Sequence, residues 1–487
     1  MSVIEALPAL DLSLGGSALD DELFTELVSA TVEQRVNAPA SCELEFNDPL
    51  GRAADAFAAG AAFTLRAGAE RRTLFEGTVA ALELVARGER VRTLRVLAYD
   101  ALDKLRRGAP VRVHSDVTFA DLARELTLPL GITVDFEQPG TLRPRVVQHR
   151  RSDFDLLLDA AERAGSYVRL DAGCLRSYPI APAGESKELE LGVELREANV
   201  TLSEVDAASS VAVRGWDPHR VRAYHGTAKS ASAGAPEVTV TNVIVRSDGQ
   251  ADAFARSQIE RRAAAGSVLV AVAEGDTALE PGLCVRLRGL GSAYGGPFRI
   301  TLARHRFTPA FGYIVELSSA LPAAHAPPQN ASATLGIVAD VRDPEGLGRL
   351  KVRYPALDDA ESDWLQMLAA GAGGKKGLVA LPAVDDLVLV LGVDDDPAHG
   401  IVLGALYGSG GLPGERPKAF KGYAFYSPGG HMIELDDEGS LLVRASGGSS
   451  LELGRKSTTL HSETDLVIEA PGRTITIAAT LVEIEKQ

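Results

Sequence analysis

The last sixty or so residues of the chain alternate apolar and polar positions at period two. Apolar pairs recur at Ile433/Leu435, Leu441/Val443, Leu451/Leu453, Leu466/Ile468, Ile475/Ile477 and Val482/Ile484. A spacing of two puts both side chains of a pair on the same side of a strand. Successive pairs are roughly eight to ten residues apart, the length of a short strand plus a tight turn. Gly439, Gly447, Gly448, Gly454 and Gly472 punctuate the steps. The pattern predicts strands continuing to Gln487. No helix or second layer is on hand to cover them, so one chain alone would leave a wet apolar stripe. The expected solution is several copies wound together, each covering the others' inner faces, with these twelve residues as the shared core.

Upstream, the strand signal continues. VSATVEQRV, SCELEFND, TLFEGTVAALELV and VRTLRVLAYD alternate or carry β-branched residues between turn signals. Helices interrupt them at three places. Thr118 and Asp121 form a capping-box pair ahead of an apolar run that stops before Gly131. Ser152 and Asp155 do the same ahead of Phe154, Leu157, Leu158 and Ala161, with Gly165 as the stop. ADAFARSQIERRAAAG predicts a third helix ending near Gly266. The sum is a mainly β chain of barrels or sandwiches, not alternating βαβ units.

A Pro- and Ala-rich linker is expected at residues 321–334, between a region 1–320 and a compact β block at 335–408. In that block Asp343-Pro344-Glu345-Gly346 is a turn, and Leu350, Val352 and Tyr354 alternate along the next strand. Trp364 begins another strand, and Val388 to Leu391 form one that is apolar on both faces. Five short strands in about seventy residues fit a small closed barrel of the OB type. A second linker, 409–420, leads into the tail, 421–487.

DPEGLGRLKVRYP, the Trp364 strand, LPAVDDLVLVLGVDDDP and GIVLGALYG resemble, in order and spacing, the OB domain of VgrG-type spike proteins of bacterial contractile injection systems and the related central spikes of phage tails. VVQHRRSDFDLLLDAAERAGSYVRL looks like that family's hub signature, SSVAVRGWDPHR like a later hub strand, and SPGGHMIELDD like the entry to its trimeric β-helix. Where the family has Gly and Glu in a VGDEV run, this chain has Asp385 and Leu387. The resemblance implies a hub of two β-barrel subdomains over 1–320, an OB-fold collar, and an intertwined trimeric β-helix needle. It implies a homotrimer that joins a hexameric inner tube protein, baseplate proteins and a PAAR-type tip protein, with cargo effectors as a further class of partner. Tip docking is expected at Thr480, Leu481, Val482, Glu483, Ile484, Glu485, Lys486 and Gln487. The target membrane would be met only during puncture. Assembly is expected in the bacterial cytoplasm, in a phage-tail-like particle open to extracellular release; a type VI secretion spike is the alternative.

Charge and candidate chemistry narrow this picture further. A net charge of −16 argues against a nucleic-acid binder, whose affinity comes from Lys and Arg on phosphates. No run is long and apolar enough for a membrane helix. Cys42, Cys174 and Cys284 are isolated and expected to be reduced thiols. Asp385, Asp386, Asp394, Asp395 and Asp396 form an acidic cluster without an EF-hand pattern, and His219 and His225 lack a third ligand, so no metal or other cofactor is expected. Gly371 to Gly377, GAGGKKG, has the look of a phosphate loop but lacks the Ser or Thr after Lys. It reads as a barrel loop. No nucleophile elbow is present, and neither the short second linker nor the tail leaves room for an enzyme domain. A non-enzymatic part is therefore expected; a tail-associated cell-wall hydrolase or a solenoid adhesin fits less well.

Overall fold

The computed structural model describes residues 10–87, 91–217, 222–230, 234–241, 245, 247–322, 332–393, 396–408, 411–413 and 421–485. The chain divides into two units, Met1–Leu406 and Tyr407–Gln487. Most of both expected linkers lies outside the described residues. The fold is mainly β.

In the first unit an eleven-stranded sheet joins distant parts of the sequence. Its order is Leu195–Leu202, Ser267–Glu274, Gly312–Ser318, Leu302–Thr308, Leu27–Arg35, Ser41–Asn47, Val91–Tyr99, Arg72–Arg87, Ala62–Ala67, Leu10–Leu14 and Ser17–Ala18. Leu302–Thr308 is the seam, antiparallel to Leu27–Arg35 with Phe307 opposite Ala30. On either side of the seam lies a separate core. One holds Leu44, Phe46, Phe63 and Phe75; the other holds Leu269, Val285, Ile300 and Leu317. The one sheet thus forms two half-barrels, each around its own core. Alternation does the sorting: Cys42, Leu44 and Phe46 point inward while Glu43 points out. On the polar face Arg304 reaches Glu33 at 2.6 Å and Glu316 at 2.9 Å across two strand pairs, a favourable cross-strand charge arrangement.

The helices Phe119–Thr127 and Asp153–Arg163 share one core beside the barrels. Both start with the reciprocal caps that the sequence indicates. Thr118 Oγ1 accepts from Asp121 N and Ser152 Oγ from Asp155 N, and each aspartate side chain returns a bond to the cap backbone. The third helix, Asp248–Ala265, starts earlier than its apolar pattern suggests because Ser247 caps it by accepting from Gln250 N. It lies so close to the strand Arg222–Lys229 that a Cβ on Gly226 would stand 2.1 Å from Ala251 carbonyl carbon, which only glycine permits.

The OB barrel belongs to the same unit. Its sheet has six strands, one more than expected: Ala360–Glu361, Lys351–Tyr354, Ser332–Asp340, Leu387–Val393, Asp396–Ala405 and Gln366–Met367. Leu350 and Leu365 exchange backbone hydrogen bonds of 2.9 and 2.8 Å and so join its two ends. Leu350, Val352 and Tyr354 are buried together with Val388, Val390 and Val402. Val147 of the hub packs with Ala360 and Ala398 of the barrel, and Arg145 Nη1 donates to Ser362 O at 2.6 Å. Hub and barrel are therefore held by both apolar and polar contacts.

The turn before the strand Lys351–Tyr354 is organised by one carboxylate. Asp343 accepts from the backbone N–H of Glu345, Leu347 and Arg349, and from the Arg349 guanidinium. Arg349 bonding, with the backbone N–H donors, holds the Asp343 carboxyl far below the usual carboxylate range. Asp343→Ala should lower barrel stability by roughly 1–3 kcal/mol, because it removes the main partner of a buried guanidinium and strands backbone donors. Because the folded-state pKa is depressed, this contribution is present at neutral pH. It should fade as pH drops below the ordinary aspartate value of about 3.9. Urea unfolding of the variant and the parent at pH 7 measures it.

His305, on the seam strand, is wholly buried, with Nδ1 2.9 Å from Tyr313 Oη. Burial pushes its imidazole down to about 4. The folded state holds it neutral, so its contribution is full above about pH 6.5 and is lost as pH falls toward 4. Acid unfolding should show about 3 kcal/mol of stability lost across that window, a slope that His305→Gln removes.

Candidate self-association face

In the second unit the strands Gly422–Tyr426, Met432–Asp436, Leu441–Arg444, Ser450–Leu453 and Thr458–His461 form an antiparallel meander. Its turns are short and polar. Asp436 Oδ1 accepts from Glu438 N at 3.0 Å and Ser440 N at 2.7 Å, and Gly439 supplies the left-handed φ of 93° that the turn requires. The bond from Ser440 N holds the Asp436 carboxyl below its usual range.

Register decides which side chains share a face. Tyr423, Leu435, Leu441, Leu453 and Thr458 lie directly opposite one another across successive strands. Phe425, Ile433, Val443, Leu451 and Leu460 make a second row beside them. Opposite residues of an antiparallel pair project to the same side, so one face carries two apolar rows without a charge. The other face carries Glu434, Asp436, Arg444, Glu452 and His461. Within the meander the apolar face is uncovered by any described residue: Tyr423 is 77% exposed, and Ile433, Leu435, Val443 and Leu453 are about two-fifths exposed. Leu441 and Leu451 are half-buried by their neighbours.

Six of the twelve expected core residues are therefore on one face. Tyr423, Phe425 and Leu460 share it and are not among those twelve, although GYAFY and TTLH carry the same period-two signal. The other six fall differently. Leu466, Ile468, Ile475, Ile477, Val482 and Ile484 lie in chain without regular secondary structure that joins no ladder, each at least half exposed. The expectation of regular strands to the last residue is thus not met within one chain. A strand pattern becomes a strand only when another backbone accepts and donates its hydrogen bonds, and among the described residues this stretch has no such neighbour. Thr480, Leu481, Val482, Glu483, Ile484 and Glu485 are exposed, and Lys486 and Gln487 lie outside the described residues.

The other candidate chemistry does not converge. Asp386 Oδ2 caps its own turn by accepting from Ala383 N at 2.7 Å, and Asp394 and Asp395 lie outside the described residues. The backbone N–H of His225 donates to Asp248, and His219 is outside the described residues. Among the described residues no group of three or more His, Cys, Asp or Glu could hold a metal ion.

A family model described as the Alg8 N-terminal domain matches residues 6–309, well over half of the chain. The Type VI secretion system/phage-baseplate injector OB domain matches residues 334–407. No curated protein matches the sequence. Among solved structures, the Francisella PdpA-VgrG complex, half-lidded, aligns at TM-score 0.58 and 9% identity, over 93% of this chain and 87% of that one. The E. coli c3393 protein, described as a component of the type VI secretion system with structural similarity to the T4 tail proteins gp27 and gp5, aligns at TM-score 0.54 and 13% identity. It covers 81% of this chain and 99% of its own. The 43 kDa tail protein of prophage MuSo2 from Shewanella oneidensis aligns at TM-score 0.52 and 16% identity, over 64% and 97%. At these identities the likeness is one of fold.

A charge placed on the apolar face tests it. Val443→Asp should markedly weaken self-association of the full chain in light scattering. Leu442→Asp, one residue along on the opposite face, should leave it intact.

Proposed function

The chain belongs to the Alg8 N-terminal domain family and carries an injector OB domain, and on that premise we propose that it is the non-enzymatic central hub and spike of a contractile injection machine. Three copies form the spike. The hub caps the inner tube and organises the baseplate, the OB barrels form a collar, and the three tails make a needle. The single observation that carries this reading is the pair of apolar rows on the tail meander, a buried core in everything except a partner.

The tail has two zones on this reading. From Gly422 to His461 each chain pairs its own strands, and three apolar faces turn inward around one axis. From Leu466 onward no described strand of the same chain pairs with it, and the ladder forms between copies. Each side chain that becomes buried contributes roughly 1.5–3 kcal/mol. Interchain pairing also closes strand edges that would otherwise invite aggregation. Such a needle bears axial load, because sliding one chain breaks hydrogen bonds to its neighbours. The end at Thr480 to Gln487 receives a PAAR-type tip.

We place the spike in a phage-tail-like particle, made in the cytoplasm and open to release. The alternative is a type VI secretion spike, which the coverage of the E. coli c3393 protein favours. Particles sedimenting from culture supernatant with this chain inside support the first; retention of all copies in the cells supports the second.

Sedimentation should give a mass near three times that of the 51.3 kDa chain; a monomer contradicts the spike. Deleting residues 480–487 should leave the trimer and abolish tip recruitment in a pull-down. A cleared zone in a peptidoglycan zymogram would contradict the non-enzymatic assignment.

A further inference from the structure

The OB barrel has an apolar surface in the wrong place for a soluble barrel. Register puts Leu335, Ile337, Leu387, Leu389, Leu391 and Ile401 on the outside of three adjacent strands, opposite the buried Val338, Val388, Val390 and Val402. None of the six is buried, and Leu335 is 48% exposed. Barrel exteriors that face water alternate with polar residues; this one does not. The start of its central strand is flanked by Asp385 and Asp386, and Asp385 has no ion-pair partner among the described residues.

The same barrel also carries an apolar projection. Residues 371–381 are exposed without interruption. The segment is nonetheless ordered by its own bonds. Leu368 N donates to Val402 O and Leu378 N to Ala370 O at the base, and Gly373 and Lys376 exchange N–H···O bonds at the tip. It is a finger with Lys375 and Lys376 at its end and Leu378, Val379 and Leu381 along one arm, Val379 being 86% exposed. Neither lysine has an ion-pair partner among the described residues. This is the GAGGKKG stretch, whose composition alone gives it no role.

We propose that the finger of one copy lies on the outer barrel face of the next, so that the three OB barrels close into a ring. The two surfaces match in character: apolar arm on apolar sheet, two unpaired lysines against an aspartate-flanked rim. They are different patches of one chain, so the contact is heterologous. A heterologous contact closes only around a rotation axis, and the threefold axis of the spike supplies one. The proposal rests on the trimeric reading and adds to it a second locus of association besides the tail. The collar then resists splaying when the needle meets a barrier.

The test is a pair of cysteines in the full chain, Val379→Cys with Leu335→Cys, in a Cys174→Ser background because Cys42 and Cys284 are buried. Mild oxidation should give covalent dimers and trimers in a denaturing gel, and neither single variant should do so. Adding Lys375→Glu and Lys376→Glu should reduce the cross-linked yield severalfold, and Asp385→Lys with Asp386→Lys should restore it. A cysteine pair between tails, such as Ile475→Cys, is the reference. If sedimentation shows a trimer and the tail pair cross-links while the finger pair stays at monomer mass, the ring is wrong and the spike stands. If sedimentation shows a monomer, both are wrong.

Discussion

A β-strand is stable only when both its backbone and its apolar face are satisfied, and the two units of this chain meet that condition in different ways. The hub closes its cores with its own residues: an eleven-stranded sheet curls around two of them, and the seam strand Leu302–Thr308 borders both. The tail satisfies its backbone as far as His461 and its apolar face nowhere. Beyond His461 the described residues form only isolated turn bonds and no ladder. On the proposed reading, a spike of several copies completes what the tail of one copy leaves open.

The devices in the first unit serve rigidity. Reciprocal caps fix two helices beside the barrels, and one aspartate collects backbone and guanidinium donors to shape the turn that leads into the OB barrel. The Arg145 contact and the Val147 packing hold that barrel to the hub. The finger, ordered but uncovered, is the place where the same unit reaches outward. Stiffness within each copy and adhesion between copies are what the proposed spike would need to transmit force.

Much of this is legible in the sequence because it rests on local rules. Thr118 with Asp121, and Ser152 with Asp155, announce their helices by spacing alone. Leu350, Val352 and Tyr354 reveal an inward face by period two, and DPEGLGR holds its turn through Asp343 and Arg349. What the sequence hides depends on register or on other chains. Tyr423, Phe425 and Leu460 join the apolar face only once strand pairing is known. The early start at Ser247 belongs to a cap that precedes the apolar pattern. The pairs from Leu466 to Ile484 have the periodicity of strands, but periodicity does not say whose backbone they pair with. The finger has no periodic signal at all; only its unbroken exposure, set against an apolar sheet, marks it.

The central claim is that the tail is completed by other copies, and amide hydrogen exchange in the assembled full-length protein addresses it directly. Amides between Leu466 and Ile484 should exchange as slowly as those of the strands from Met432 to Leu453. Exchange at the rate of unstructured chain across that stretch, in protein of assembled mass, would contradict the account.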